Sequence, residues 1–345
     1  MAPETNPLKL GFDTYSLRAW RWKDIQFLDY AASLKLDSVQ ISSVNDYASL
    51  EPAHLAKVKD HAHRLGLTID GGTGCICPTT KSWSPKNGDP AAYLLQGLRV
   101  SKAVGATSMR CFIGSPTDRA LIGQIPIARH MESTLAVLRK VRAEATDTGV
   151  RIAIENHGDL TARELRQLVE TAGTDFTAVC LDTGNPVLLC EDPLLSLEVL
   201  APYTVTTHIR DSVIFEHPRG CATQWVALGD GSLDWKRLTA RCRELCPNAV
   251  MQLEVITGRA PEVHPYFEAA FWKMFPDLPA ADFARFVALA RAGHPFMGQM
   301  VIGDVRGRTP PPELAEALKH QQRHDLERSF RYAIETLSIG ARATI

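Results

Sequence analysis

Short runs of β-branched and apolar residues recur about every 30 residues through the first 255 positions of this sequence, and amphipathic stretches of helical length separate them. Strands that alternate with helices in this way predict βα units and a parallel sheet. The eight expected strands lie at residues 8–13, 37–42, 67–72, 107–113, 150–155, 177–182, 204–209 and 250–255. Eight units suit a closed ring, and no G-x-G-x-x-G turn follows an early run, so the sequence predicts an α/β fold that is a single (β/α)₈ TIM barrel.

The segment that follows the eighth expected strand is long enough to do more than close the barrel. Its charged pattern PPELAEALKHQQRHDLERSFRYAIETL predicts a closing helix at about 312–338. Residues 258–311, rich in proline, glycine and aromatic residues, are then an insertion that we expect over or beside the pocket. We expect the chain 1–345 to form one barrel domain with an extended C-terminal helical segment.

Composition narrows the class of partner. The formal net charge of −1 gives no global positive field, so we expect no nucleic acid and no membrane partner, and a small-molecule substrate instead. The first residues lack a basic flank before an apolar run, and no window approaches about 18 uninterrupted apolar residues, which predicts a cytoplasmic protein. The 8 cysteines lack C-x-x-C spacing, which argues against a structural zinc site and favours ordinary thiols.

Four polar residues end the last four expected strands of the barrel. Glu155, Asp182 and His208 end strands five to seven, and Glu254 lies in strand eight. Side chains at the C-terminal ends of barrel strands converge on one mouth, where three carboxylates would repel one another without a cation between them. Mixed oxygen and nitrogen donors suit Mn²⁺, Mg²⁺, Co²⁺ or Zn²⁺. The sequence therefore predicts that these four residues bind one divalent metal ion.

The spacing of these residues supports that placement. The first three recur at intervals of about 27 and 26 residues, each about one βα unit. The step from His208 to Glu254 is longer, and we expect the excess, DSVIFEHPRGCATQWVALGDGS, to form an extended loop before the seventh helix.

In order and at matching intervals, the segments IENHG, LDTGN, HIRDS, LGDGSLDW and LEV resemble the sugar isomerase/epimerase superfamily of xylose-isomerase-like barrels. The resemblance covers roughly 8–255 and the closing helix. In relatives such as ketohexose 3-epimerases, a Glu, Asp, His, Glu quartet holds one divalent ion, and its two glutamates also move protons. The resemblance thus implies that Glu155 and Glu254 are catalytic and that one ion, with Mn²⁺ the first expectation, binds the quartet.

The expected reaction is that of a divalent-metal-dependent isomerase or epimerase of a sugar or sugar derivative. A metal ion that bridges a ketone oxygen and its neighbouring hydroxyl stabilises the enediolate formed when a C–H proton leaves. His157 and Arg210 lie beside the ligands in the sequence and are candidates to hold substrate oxygens, or to brace a neighbouring carboxylate instead. Asn185 is a candidate donor to a substrate hydroxyl.

Other functions remain open at this point. The 3-epimerases carry a histidine where Asn185 stands, and many relatives carry a glutamate where Gln40 stands. Related branches with similar quartets are lyases or dehydratases that act on an oxidised sugar, a 3-oxo-glycoside or a keto-inositol, and these reactions begin with the same proton loss. A non-catalytic sugar-binding barrel is a further alternative. An apurinic DNA endonuclease is disfavoured, because that family needs extra histidine ligands and binds a phosphate backbone. A homo-oligomer is possible.

Overall fold

The computed structural model describes residues 8–120, 124–303 and 308–340. Residues 1–7, 121–123 and 341–345 of the predicted domain, and residues 304–307 of the predicted insertion, lie outside the described residues. The strands in chain order are β1 (Leu10–Asp13), β2 (Ser38–Gln40), β3 (Thr68–Cys75), β4 (Ser108–Phe112), β5 (Arg151–Glu155), β6 (Thr177–Asp182), β7 (Thr204–His208), β8 (Asp211–His217), β9 (Gly220–Val226), β10 (Met251–Leu253) and β11 (Glu262–His264).

Eight of these strands form the barrel. They pair in parallel in the order β10-β1-β2-β3-β4-β5-β6-β7. Two parallel bridges, Thr206 to Val250 and Ile209 to Leu253, bring the two end strands together, so the ring is nearly closed. Each of the eight strands expected from the sequence is present, which confirms the predicted TIM barrel.

Helices lie between the barrel strands, as the βα repeat requires, and three more helices of the described residues follow the last barrel strand. They are α1 (Asp24–Ser33), α2 (Pro52–Leu65), α3 (Pro90–Ala103), α4 (Pro116–Arg119), α5 (Ile127–Thr148), α6 (Ala162–Ala172), α7 (Pro193–Leu200), α8 (Trp235–Leu245), α9 (Ala269–Trp272), α10 (Ala280–Ala292) and α11 (Pro312–Glu335). Helix α2 ends at Gly66, whose φ of 70° is in the left-handed region that glycine tolerates best. Among the described residues, no helix is both long and apolar enough to span a bilayer.

The segment between β7 and α8 differs from its prediction as an extended loop. It folds into an antiparallel hairpin, with β8 and β9 in continuous register from the pair Asp211–Val226 to the pair His217–Gly220. Strand β11 pairs with the other edge of β9 and completes a small three-stranded sheet. The extra residues between the seventh and eighth barrel strands therefore form a rigid element beside the mouth.

The C-terminal helix α11 packs on the 3₁₀ helix Thr14–Trp20 that follows β1. The Trp20 indole N–H donates to the Lys319 carbonyl over 3.1 Å, and the Gln322 side chain accepts from the Ala19 amide at 3.0 Å. Phe330 of α11 meets Phe12 edge to face. The extended C-terminal helical segment predicted from the sequence is thus present and is attached to the first βα unit.

A polar layer crosses the inside of the barrel below its C-terminal mouth. Buried Asp70 accepts hydrogen bonds from Ser108 on β4, Thr206 on β7 and Gln252 on β10, each at 2.9 Å. Three donors from three strands satisfy a carboxyl group that would otherwise be costly to bury. The layer therefore ties strands on different sides of the barrel to one another.

Buried Glu191 holds the start of helix α6. Its carboxyl oxygens accept from the Ala162 amide at 3.2 Å, and the Ser196 hydroxyl donates to it over 2.7 Å. Burial raises the pKa of Glu191 from 4.5 to about 7, because these neutral donors compensate the charge only in part.

We predict that Glu191 makes the protein less stable as pH rises. Unfolded chains release this proton near pH 4.5, whereas the folded protein holds it until about pH 7. The stability that the protonated group contributes is therefore fully present below pH 4.5 and is lost between pH 4.5 and 7, amounting to roughly 3 kcal/mol at most. Glu191→Gln keeps the shape and donor of the protonated acid and should flatten this loss. Urea denaturation at pH 5 and pH 8 measures it, and equal pH dependence in both proteins would refute the prediction.

Candidate metal centre

Four side chains converge at the C-terminal mouth of the barrel, as the sequence predicts. Glu155, Asp182 and His208 are the last residues of β5, β6 and β7, and Glu254 follows β10. Parallel pairing places Asp182 directly beside His208. All four residues are buried, and one donor atom from each lies within 4.8 Å of the others. The strand register alone therefore gathers one imidazole and three carboxylates at one point.

The distances within this cluster fit a divalent cation. His208 Nδ1 lies 3.3 Å from Glu155 Oε1, 3.3 Å from Glu254 Oε2 and 3.8 Å from Asp182 Oδ2. Ligand atoms about 2.1 Å from a tetrahedral ion lie about 3.4 Å from one another. The donor set and its spacing thus match what a Zn²⁺-, Mg²⁺- or Mn²⁺-like ion requires.

The imidazole of His208 is oriented for ligation from inside the barrel. Its Nε2 hydrogen-bonds Gln40 Oε1, and the Gln40 amide donates in turn to Thr206 over 3.1 Å. With the proton on Nε2, the Nδ1 lone pair faces the carboxylates, and Nδ1 has no hydrogen-bond partner among the described residues. A lone pair aimed at three anions is unfavourable without a cation, so the residues present fit a metal ion.

The electrostatics of His208 lead to the same conclusion. Burial opposes a charge on this ring, yet the negative charges of Glu254 and Glu155 outweigh burial and hold its pKa well above the usual value. The cluster therefore attracts positive charge at Nδ1. A divalent ion would supply that charge.

Asp182 is fixed by its own loop and by the neighbouring strand. Its Oδ1 accepts from the amides of Gly184 and Asn185, each at 2.6 Å, which directs Oδ2 toward the cluster. The Asn156 side chain donates to the Asp182 carbonyl at 2.8 Å and accepts from its amide at 2.7 Å. Sequence analysis gave Asn156 no role, although it lies in the IENHG motif. Its partner is the backbone of Asp182, and a contact with backbone cannot be recognised from the identity of the partner residue.

Arg110 on β4 is a second residue that the sequence did not reveal. Its Nε donates to Glu155 Oε2 at 2.6 Å, Nη2 contacts the same oxygen, and Nη1 reaches the Thr73 carbonyl at 3.3 Å. Although burial raises the pKa of Glu155, Arg110 and then His208 counteract this and hold it well below its usual range. The one available signal was a charged residue inside the apolar run TSMRCFI.

The three predicted substrate contacts take different positions. His157 stacks on Phe112 at 4.1 Å, its Nδ1 donates to the Gly114 carbonyl over 2.7 Å, and burial lowers its pKa, so the ring is neutral. Asn185 Nδ2 donates to Glu155 Oε1 at 2.9 Å. Arg210 lies inside the cluster, with Nη2 in contact with Asp182 Oδ2 and 2.7 Å from Glu254 Oε2. All three thus lie at the mouth, and two of them brace the carboxylates.

A parallel barrel with a buried carboxylate and histidine cluster at the C-terminal strand ends is the arrangement of barrel enzymes. Comparison with known proteins agrees, since residues 28–275 match the family described as the xylose isomerase-like TIM barrel. The chain therefore belongs to the xylose isomerase-like TIM barrel family.

Two relatives and one solved structure illustrate the similarity. Over 245 residues, the chain is 31% identical to YihM of Escherichia coli (strain K12), described as uncharacterized, with 68% of each chain covered. Over 224 residues it is 25% identical to 3-oxo-isoapionate decarboxylase of Pectobacterium atrosepticum, covering 61% of this chain and 72% of the relative. The structure of D-psicose 3-epimerase with D-tagatose from Clostridium cellulolyticum H10 is 15% identical, with a TM-score of 0.60 and coverage of 96% and 99%. This last likeness shows the fold alone.

We predict that removing the guanidinium of Arg110 destabilises the protein through Glu155. Arg110→Met should lower the free energy of unfolding by about 3–5 kcal/mol, because it leaves a buried carboxylate without its partner. The double variant Arg110→Met with Glu155→Gln should recover most of that loss, since the uncompensated charge is gone. Urea denaturation of the two single variants and the double variant, in the presence of a chelator, measures the coupling. Additive losses would contradict the prediction.

Proposed function

We propose that this protein is a divalent-metal-dependent isomerase or epimerase of a sugar or sugar derivative, which removes a proton from the carbon next to a carbonyl group. The observation that carries the proposal is the unpaired Nδ1 of His208, which faces carboxylate oxygens of Glu155, Glu254 and Asp182 at 3.3–3.8 Å. Family membership supports the same reaction class.

His208 and the three carboxylates, Glu155, Asp182 and Glu254, would hold the ion, with Mn²⁺ our first choice and Mg²⁺, Co²⁺ or Zn²⁺ as alternatives. When bound, such an ion stabilises the negative charge that develops on a substrate oxygen as the neighbouring C–H proton leaves. Asn156 and Gln40 keep the ligands oriented, because they hold the Asp182 backbone and the His208 ring.

The two glutamates would transfer the proton, and their carboxylate oxygens differ in the contacts that they make. Both oxygens of Glu155 are engaged, Oε2 by Arg110 and Oε1 by Asn185. Glu254 Oε2 is paired with a cation, Arg210 Nη2 at 2.7 Å, and Arg210 and His208 outweigh burial to lower the pKa of Glu254 to about 2, so Glu254 is ionised and can accept a proton once that oxygen is released. We propose that Glu254 removes the proton and that Glu155 serves as the second group in an epimerisation.

Substrate positioning is assigned to His157, Asn185 and Arg210. The neutral His157 ring is fixed by Phe112 and Gly114 and offers a hydrogen-bonding edge. Asn185 links the loop after β6 to Glu155, so a substrate that contacts Asn185 would also affect the Glu155 carboxylate. Arg210 adds positive charge where a substrate oxygen becomes negative.

A lyase or decarboxylase acting on an oxidised sugar, 3-oxo-glycoside or keto-inositol is the second candidate. The engagement of both Glu155 oxygens favours it, since such a reaction needs one proton-transfer group rather than two on opposite faces. The 25% identity to 3-oxo-isoapionate decarboxylase supports it as well. Loss of a leaving group or of CO₂ beside the carbonyl would exploit the same stabilisation of negative charge.

We also propose a cytoplasmic location. All eight cysteines are buried and free, and free thiols are typical of a reducing compartment.

The proposal is tested by proton NMR in D₂O with Mn²⁺ over a panel of ketohexoses, aldoses, keto-inositols and 3-oxo-glucosides. We expect a C–H signal next to the carbonyl to exchange with solvent deuterium, and an isomer to appear. Glu254→Gln should slow the exchange by at least about 100-fold, because it removes the proton acceptor. Expulsion of an aglycone, water or CO₂ would replace the isomerase proposal with the lyase one.

Glu262→Gln is the matched control, because Glu262 is an exposed glutamate on the nearby strand β11. It should exchange at the wild-type rate. Mn²⁺ binding by Glu254→Gln is measured in parallel, so that lost proton transfer is separated from lost metal. No exchange with any substrate in the panel, despite bound Mn²⁺, would count against both candidates.

A further inference from the structure

The guanidinium of Arg210 touches the same oxygen atoms as a bound metal ion would. Its Nη2 contacts Asp182 Oδ2, lies 2.7 Å from Glu254 Oε2 and 3.5 Å from Glu155 Oε1. These are the three oxygens that surround His208 Nδ1 at 3.3–3.8 Å. One nitrogen of an arginine side chain therefore lies among the proposed ligand atoms themselves, rather than behind them.

Arg110, in contrast to Arg210, supports a carboxylate without entering the group of proposed ligand atoms. It binds Glu155 through Oε2 and does not contact Oε1, the oxygen that lies 3.3 Å from His208 Nδ1. Arg210 takes the opposite side of the carboxylates. Two cations that share three buried oxygens would lie within a few ångströms of each other, where like charges repel strongly because little water screens them.

The side chain of Arg210 is held at its base and along its length. Its amide donates to Thr183 Oγ1 at 2.9 Å, and its Cζ stacks over the Trp225 indole at 4.5 Å. A Cβ at Gly184 would lie 2.7 Å from Arg210 Cβ, so the absence of a side chain at residue 184 gives the arginine stem its room. The indole of Trp225 is itself fixed, since its N–H donates to the Gly184 carbonyl at 2.9 Å. The Nε of Arg210 also donates to Asp182 Oδ2 at 2.9 Å, so the whole planar guanidinium must turn away for the oxygens to become available.

We propose that Arg210 is an internal competitor of the metal ion, so that metal binding displaces its guanidinium from Asp182, Glu254 and Glu155. The inference rests on the metal centre of the proposed function but not on the reaction. It assigns Arg210 two positions: among the ligand oxygens when no ion holds them, and away from them, available to a substrate oxygen, when an ion does.

Metal affinity tests the competition. The full-length protein is treated with a chelator, desalted and titrated with Mn²⁺, and free Mn²⁺ is followed by electron paramagnetic resonance. Arg210→Gln should bind Mn²⁺ at least tenfold more tightly than the wild type, because no guanidinium has to leave. Arg210→Lys, which keeps the charge but lacks the planar fork, should fall between them. Thermal unfolding in chelator should show that the wild type is more stable than Arg210→Gln.

Arg259→Gln is the matched control for charge. Arg259 also stacks on Trp225, at 5.0 Å, so its replacement removes a second guanidinium from the same indole. We expect its Mn²⁺ affinity to stay within about twofold of the wild type, because the contacts with the three ligand oxygens around His208 Nδ1 come from Arg210. A comparable gain in Arg259→Gln would mean that general charge, rather than competition, sets the affinity, and would overturn the proposal.

Trp225 reports the movement directly. Titration with diamagnetic Mg²⁺ or Zn²⁺ should change the Trp225 emission, obtained as the difference between wild type and Trp225→Phe, and this change should be absent in Arg210→Gln. Equal or weaker Mn²⁺ binding by Arg210→Gln, or an unchanged Trp225 emission on metal binding, overturns the competition while leaving the metal centre intact. If neither the wild type nor Arg210→Gln binds a divalent ion, the metal centre of the proposed function fails with it.

Discussion

Buried negative charge at the mouth of the barrel is the constraint on which the rest of this structure depends. Three carboxylates lie within a few ångströms of one another, and all are inaccessible to solvent. A buried cluster of carboxylates is stable only if cations and hydrogen-bond donors surround it, and several elements of the chain supply them. Arg110 comes from β4, Arg210 from the segment after β7, and backbone amides of the loop after β6 bind Asp182. The charges of the site are thus balanced by residues from five strands, β4, β5, β6, β7 and β10, and from the loops that follow them.

The hairpin β8–β9 takes part in that balance. It carries Trp225, whose indole supports the Arg210 guanidinium and is bonded to Gly184. Asp211, the first residue of β8, accepts from the amides of Gly229 and Gly231 at 3.0 Å each, which ties the segment after the hairpin back to its start. Residues that lengthen the step between the seventh and eighth barrel strands thus line the site on one side rather than forming a mere connection.

The fold was predictable from the sequence because βα units recur at a regular interval, which can be recognised without knowing any individual side-chain contact. The four converging residues were predictable because each ends a recognisable strand, and the ends of parallel strands meet. Arg110 was not, since its partner Glu155 is 45 residues away and the pairing depends on register. The hairpin was missed although VIFEH and ATQWV, on either side of Pro218 and Arg219, are rich in β-branched and aromatic residues, because a long step between strands was interpreted as a loop. The position of Arg210 depends on Gly184 and Trp225 together, which no local pattern reveals.

The support that Gln40 gives His208 decides which part of the molecule sets the direction of the imidazole. Gln40 is bonded to Thr206, and Thr206 to Asp70, so the orientation of the imidazole is set by residues on strands in the barrel interior. The loops that cover the mouth contribute little to that chain of bonds. A change of residue in those loops would therefore leave the direction of the His208 imidazole unchanged, because Gln40, Thr206 and Asp70 all lie on barrel strands.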